Sequence, residues 1–156
     1  QIAYNADGGH KAWVDATCNS IQNTLAIDCT GKSYPDFKSL RDPITKGTMT
    51  TGFRAGWQMD YPALENFLAP IYAKGAGSND AHYDNPSFDA LLKQADKAKT
   101  LEQSNKLFQD AEKILVQDMP SIPLWYSNTT GGYSKKVSNV KFDVFSVPIY
   151  TEITKG

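Results

Sequence analysis

The chain has 156 residues, of which 40% are hydrophobic and 21% are charged, as in an ordinary globular domain. Its 16 basic and 17 acidic side chains give a formal charge of −1, which argues against a nucleic-acid-binding surface and against a polybasic membrane patch. No apolar run approaches the roughly 20 residues that span a bilayer. The residues after Gln1 lack the pattern of a signal peptide, so we expect a mature product or a piece of a longer chain.

The first third of the chain predicts alternating strands and helices. Val14, Cys18, Ile21 and Leu25 recur at helical spacing, after a short apolar run that Gly8 and Gly9 interrupt. Pro35 suits the first position of a second helix, which Pro43 should bend or end. The predicted strands cover 2–4, 25–29 and 50–57, and the predicted helices cover 10–25 and 35–46. This β-α-β-α-β order is typical of an α/β fold with right-handed crossovers.

The middle of the chain predicts three further helices, over 62–68, 85–98 and 100–119. Asn85 or Ser87 is a plausible cap for the second of these, and Thr100 with Gln103 forms a capping-box pattern at the start of the third. The buried stripe of the last helix should contain Leu101, Leu107, Phe108, Ala111, Ile114 and Leu115.

The character of the sequence changes near Pro120. Residues 121–156 are rich in strand formers and turns without helical spacing, and Pro123 confines any strand there to an edge. We therefore expect a lobe over 1–120 and an irregular β appendage over 121–156. The appendage side chains that we expect to be poorly buried are Trp125, Tyr126, Tyr133, Val137, Val140, Phe142, Phe145 and Ile149.

The two cysteines, Cys18 and Cys29, lie on the predicted first helix and at the end of the predicted second strand. A disulfide between them would join helix to strand and contribute about 3 kcal/mol on the loop-entropy model. The alternative is two separate buried thiols. A disulfide would indicate an oxidising, extracytoplasmic compartment. Two thiols alone do not make a structural zinc site, so no metal is predicted there.

Motifs for catalysis are missing from the sequence. There is no nucleophile elbow and no phosphate-binding glycine loop, and Asp80 with His82 lacks a third metal ligand. The segment FRAGWQMDYP instead places Arg54, Trp57 and Asp60 at a strand-to-turn transition. A cation, an aromatic ring and an anion suit a zwitterionic ligand at the carboxyl ends of strands. From spacing alone, a surface Arg–Asp pair beside a core tryptophan is the simpler interpretation.

Several collinear motifs resemble family 5 of the solute-binding proteins of ABC importers, the oligopeptide- and dipeptide-binding proteins. They are Tyr4-Asn5, Ile21-Gln22, Arg54 to Tyr61, Asn66 to Leu68, His82 to Leu92, Ala111 to Pro120 and Ile122 to Trp125. The resemblance covers nearly the whole chain. It implies an α/β fold: a small mixed sheet flanked by helices, as in the second lobe of a periplasmic-binding-protein type II fold, with an irregular β appendage that returns toward the first lobe.

The resemblance also implies roles for individual residues. Asp60 corresponds to the family's ligand for the peptide ammonium, while Arg54 and His10 correspond to groups that help to bind the peptide carboxylate. The backbone of the glycine–tryptophan segment pairs with the extended peptide in the family. That segment is Gly56, Trp57, Gln58 and Met59, and Met59 stands where small residues are common.

The implied function is capture of short peptides outside the cytoplasm and delivery to the membrane permease subunits of an ABC importer. No cofactor, no nucleic acid and no enzymatic activity are expected, and the resemblance suggests a lipid anchor in a preceding segment. The family also binds sugars, nickel complexes and other small solutes; Arg54 with Asp60 favours peptides. A flavodoxin-like enzyme or regulatory domain would need a phosphate loop or an acidic cluster, and neither is visible.

Overall fold

The computed structural model describes residues 1–128 and 130–156. These residues form two compact units, Gln1–Trp57 and Gln58–Gly156, which are described separately. The expected boundary near residue 120 concerns a division between lobes of a longer protein, and it stays a prediction.

The first unit is a three-stranded parallel sheet with helices on its two faces. Residues Ala3 and Tyr4 point to opposite faces of the central strand, as successive strand residues do. One face packs against Leu40 and Ile44, and the other packs against Val14 and Cys18. The elements are β1 (Ile2–Asn5), α1 (Lys11–Leu25), β2 (Gly31–Tyr34), α2 (Phe37–Thr45) and β3 (Gly52–Phe53), in the sheet order β2-β1-β3.

The predicted β-α-β-α-β order is therefore confirmed, but two predicted strands were wrong in extent. Residues 25–29 are not a strand, because α1 continues to Leu25 and the chain pairs with β1 only from Gly31. The third strand is confined to Gly52–Phe53, the only residues of 50–57 in register with β1. Helix α2 begins at Phe37 and not at Pro35. Asp36 caps it, and the Asp36 carboxylate accepts a hydrogen bond from the Ser39 N–H at 2.7 Å.

A disulfide bond joins Cys18 of α1 to Cys29, which lies in the loop before β2. The two α-carbons are 4.8 Å apart. Cys18 is buried beside Tyr4 and Val14, and Cys29 packs against the same cluster. The bridge therefore fixes the loop that leads into β2 against the helix that covers one face of the sheet.

The second unit has a helical core. Asn85 caps α4 by accepting from the N–H groups of Ser87 and Phe88, and Thr100 caps α5 by accepting from the Gln103 N–H. These predicted caps are confirmed. The helices are α3 (Glu65–Tyr72), α4 (Pro86–Ala95) and α5 (Leu101–Asp118), and their core is Leu68, Phe88, Leu92, Ala95, Phe108, Ala111 and Leu115.

Two expectations for these helices were wrong. Helix α3 begins at Glu65, three residues after the proline expected to open it, and continues through Pro70 to Tyr72. Leu101 does not belong to the buried stripe of α5, since it is 77% exposed at the first helical position.

The rest of the second unit is irregular. Short antiparallel strands β4 (Val137–Ser138) and β5 (Thr154–Lys155) pair with each other, and a single bridge joins Phe142 to Pro148. Trp125, Tyr126, Tyr133 and Phe142 are exposed, as expected, whereas Val137, Val140, Phe145 and Ile149 are half-buried.

In the described parts of the chain, every helix is too short or too polar to cross a bilayer.

Candidate functional site

The carboxyl ends of β1 and β3 bring together Asn5 and Arg54. The strands are parallel neighbours, so the residues that follow them meet at one edge of the sheet. The Arg54 backbone N–H continues the pairing by donating to the Ala3 carbonyl at 2.9 Å. The Arg54 side chain then donates from Nε to Oδ1 of Asn5, also at 2.9 Å. Since Asn5 is only 3% exposed, this contact fixes one edge of the guanidinium.

The Arg54 guanidinium is half-buried and lies over an aromatic ring. Its Cζ atom is 5.1 Å from the centre of the Phe37 ring, a cation–π distance. Burial lowers the pKa of Arg54, the positive charge of Arg41 lowers it further, and the carboxylate of Asp7 raises it. Within Gln1–Trp57, no carboxylate lies within salt-bridge distance of this guanidinium. Its remaining N–H donors are therefore suited to an external carboxylate.

His10 lies in the same cluster, immediately before α1. The Trp13 indole donates to Nδ1 of His10 at 3.1 Å. Burial lowers the pKa of His10, the Arg54 charge lowers it further, and Asp7 opposes the shift. At neutral pH the imidazole is therefore uncharged, with its proton on Nε2, and it acts as a hydrogen-bond donor there.

A glycine allows these groups to approach one another. A methyl group placed on Gly8 would lie 2.5 Å from Nε2 of His10 and 2.7 Å from Nδ2 of Asn5. Beside it, Asp7 accepts hydrogen bonds from Nδ2 of Asn5 at 2.6 Å and from the Phe37 N–H at 3.4 Å. Sequence reasoning found His10 and Arg54 but missed Asn5, Asp7 and Gly8 as their supports, although Asn5 ends β1 and the other two lie in the turn that follows it.

The glycine–tryptophan segment after β3 is exposed and irregular. Trp57 is 36% exposed, Gly56 is exposed and Met59 is half-buried. The Gln58 side chain donates to the carbonyl of Phe145. In the described chain, Gly56, Gln58 and Met59 make no hydrogen bonds between backbone groups. Backbone donors and acceptors of Gly56, Gln58 and Met59 are therefore available.

Asp60, in the second unit, is exposed and is held by a buried amide. Its backbone N–H donates to Oδ1 of Asn66 at 3.0 Å, and Nδ2 of Asn66 donates to its carboxylate Oδ2 at 3.3 Å. Asn66 is 1% exposed. Beside them, the Tyr61 hydroxyl donates to the Glu65 carboxylate. Asn66 appeared in the sequence only as part of a family motif, and its role as a partner of Asp60 was missed.

The structure therefore brings His10 and Arg54 together in the first unit and sets Asp60, Gln58 and Met59 in the second. That these groups act on one ligand stays a prediction. Among the described residues, no group of three or more His, Cys, Asp or Glu side chains is arranged to hold a metal ion.

Comparison with known proteins identifies relatives that are named as periplasmic binding proteins. The periplasmic oligopeptide-binding protein OppA of Salmonella typhimurium is 28% identical over 142 residues, which cover 86% of this chain and 26% of that protein. The probable deoxycholate-binding periplasmic protein YgiS of Escherichia coli is 34% identical over 126 residues, covering 81% of this chain and 23% of that protein. The chain thus spans about a quarter of the length of these curated relatives. No protein-family model matches it.

The solved structures that are similar to this chain are also those of binding proteins. The murein tripeptide-binding protein MppA of Escherichia coli superposes with a TM-score of 0.69 at 26% identity, covering 76% of this chain and 23% of that one. OppA of Haemophilus influenzae, in complex with the peptide RPPGFSPFR, superposes with a TM-score of 0.69 at 27% identity, covering 75% and 23% of the two chains. The expected fold class, part of a periplasmic-binding-protein type II fold, is confirmed.

Proposed function

Because the chain is a homologue of the family 5 solute-binding proteins, which include the oligopeptide-binding proteins, we propose that it is the C-terminal lobe of an extracytoplasmic peptide receptor. The whole protein captures short peptides and delivers them to the permease subunits of an ABC importer. The function needs no cofactor and no catalytic step. Relatives named periplasmic and a disulfide bond support an extracytoplasmic location. Membrane attachment by a lipid remains a prediction.

The guanidinium of Arg54, which has no salt-bridge partner in its own unit, carries this proposal. It is fixed by Asn5 and Phe37, yet no carboxylate of its own unit neutralises it. Partial burial makes this charge favour a partner of opposite sign, and a peptide carboxylate can supply one with two parallel hydrogen bonds. The Nε2–H of His10 adds a neutral donor in the same cluster.

Asp60 is the residue that we assign to the ammonium group of a zwitterionic ligand. Its carboxylate is exposed and held by a neutral amide, so its negative charge is available to an ammonium group. The unpaired backbone of Gly56, Gln58 and Met59 offers hydrogen bonds to an extended peptide. These backbone hydrogen bonds do not depend on the side chains of the peptide, as expected for a receptor that accepts many peptide sequences.

Calorimetric titration of the full-length protein tests the ammonium contact. Asp60→Asn should weaken binding of a free tripeptide by about two to four decades, because losing one partner of a buried pair costs about 3–5 kcal/mol. The same variant should bind the N-acetylated peptide almost as the wild type does. Asp96→Asn, at an exposed position after α4, is the matched control for the change in net charge. Equal losses for both peptides would make Asp60 a structural residue.

Titration with a peptide amide tests the carboxylate contact. Arg54→Lys keeps the charge but loses the forked donor, so it should weaken binding of the free carboxylate and leave the amide unaffected. This applies to peptides short enough for their carboxylate to reach Arg54. Equal effects on acid and amide would contradict the assignment.

A carboxylated apolar ligand is the second candidate, favoured by the 34% identity to a protein named as deoxycholate-binding. Such a ligand needs Arg54 and His10 but has no ammonium for Asp60. It therefore predicts that Arg54→Lys weakens binding while Asp60→Asn has no effect, which separates it from the peptide proposal.

A further inference from the structure

We propose that Asn66 is the positioning residue that aims the Asp60 carboxylate at the ammonium group of the ligand. This inference rests on the proposed function, since it assigns the group that prepares Asp60 for binding. Asn66 is a polar residue in the apolar helix sequence ENFLAPIY, and its side chain is buried at 1% exposure. A buried amide must satisfy its hydrogen bonds within the protein, so its partners identify its role.

Both ends of the Asn66 amide contact Asp60. Oδ1 of Asn66 accepts from the Asp60 backbone N–H at 3.0 Å, and Nδ2 donates to Oδ2 of the Asp60 carboxylate at 3.3 Å. One side chain therefore fixes both the main chain and the side chain of Asp60. The other carboxylate oxygen, Oδ1 of Asp60, has no hydrogen-bond partner in the described part of the chain, which leaves it for a ligand.

The chemistry of the amide suits this role. A lysine or arginine at this place would hold the carboxylate but also neutralise it, whereas an amide holds it without charge. The full negative charge then remains for the ligand cation. Because Asp60 itself is exposed, the buried anchor also limits the side-chain entropy that would otherwise be lost when the ligand binds.

The test compares trialanine with N-acetyl-trialanine on the full-length protein, and the measured quantity is the ratio of their dissociation constants. Asn66→Ala should reduce the preference for the free ammonium about tenfold, the effect of misplacing a charge-assisted contact. Asn66→Ser is the second variant, should the alanine variant not fold. Asn79→Ala is the matched control, because Asn79 is also a buried amide of the second unit but bonds to Ala73 and Tyr83 instead. It should lower thermal stability and keep the wild-type ratio.

A double-mutant cycle completes the test. In the Asp60→Asn background, Asn66→Ala should change the ratio by less than about twofold, because the group it positions is already gone. A wild-type ratio in both Asn66 variants, with the preference lost in Asp60→Asn, would overturn the inference and leave the peptide-binding function intact. A wild-type protein without any preference for the free ammonium would overturn the function proposed for Asp60, and this inference with it.

Discussion

The indole Nε1 of Trp13 donates a hydrogen bond of 3.1 Å to Nδ1 of His10, and the two rings meet edge to face at 6.0 Å. This contact occupies the acceptor nitrogen of the neutral imidazole and leaves its proton on Nε2. Because Arg54 is near enough to lower the pKa of His10, the two residues form an electrostatically coupled pair of donors. The coupling gives the cluster a measurable dependence on pH.

The first prediction concerns the pKa of His10 in the free protein, which should lie below the ordinary value of 6.5. Arg54→Gln should raise this pKa by removing a nearby positive charge, and Asp7→Asn should lower it further by removing a negative one. NMR titration of the His10 ring protons measures both. No shift in either variant would show that burial alone sets the pKa, and shifts in the same direction would contradict the opposite effects assigned to the two charges.

Ligand affinity should depend on pH through the same residue. A carboxylate bound beside His10 favours the imidazolium and raises its pKa, so protonation and carboxylate binding strengthen each other. Affinity for a peptide acid should therefore increase as pH falls from 7.5 to 5.5, by about fivefold if the pKa rises by one unit on binding. Affinity for the corresponding peptide amide should stay level across that range. A parallel change for acid and amide would place the titrating group elsewhere.

The disulfide predicts the absence of free thiols in the native protein. An Ellman assay on unfolded, unreduced chain should detect none, because Cys18 and Cys29 are bonded. Reduction should destabilise the chain by about 3 kcal/mol on the loop-entropy model. The Cys18→Ala, Cys29→Ala double variant is the control, and a reductant should not change its stability. Two titratable thiols per chain in the unreduced wild type would contradict the bridge.

The starts of α4 and α5 were predictable from sequence because the chemistry of their caps is local. Asn85 and Thr100 cap their helices through side-chain contacts within three residues, so short sequence patterns contain the information. Strand β2 was missed because Gly31–Tyr34 has no apolar run, and only its register with the distant β1 makes it a strand.

The residues of the candidate site also fall into two groups, those that a local sequence motif identifies and those that only tertiary contacts identify. His10, Arg54 and Asp60 could be identified from family motifs, whereas Asn5 and Asn66 acquire their roles from tertiary contacts. In a sequence, an asparagine that will be buried looks the same as one on the surface. The signal that was available for Asn66 is its place within a run of apolar helix residues.

The helical core of the second unit should depend strongly on Phe88. Its side chain is fully buried between α4 and α5, so Phe88→Ala should lower the free energy of unfolding by about 3–5 kcal/mol. Leu101→Ala is the matched control, since Leu101 is an exposed apolar residue of the same unit and its change should stay within about 0.5 kcal/mol. Denaturant unfolding measures both. A loss of similar size in the two variants would contradict the burial pattern.

The appendage should be the least protected part of the isolated chain. Tyr126 is fully exposed and Trp125 is more than half exposed. Among the described residues of the appendage, regular pairing is limited to the short strands β4 and β5 and one bridge. In hydrogen exchange on a dilute monomer, amides over 130–156 should exchange faster than those of α4 and α5. Slow exchange throughout 130–156 would show that the appendage folds without the first lobe.

The central position of β1 has a consequence for biogenesis. Both strands that flank Ile2–Asn5 are made later, so the strand that leaves the ribosome earlier waits for Gly31–Tyr34 on one side and Gly52–Phe53 on the other. During that interval its apolar residues and both of its backbone edges are open to other chains. Translocation across a membrane would lengthen the interval, because each edge of β1 stays unpaired until its own partner strand, Gly31–Tyr34 or Gly52–Phe53, has crossed. A folding chaperone in the receiving compartment should therefore act before residue 53 has been delivered.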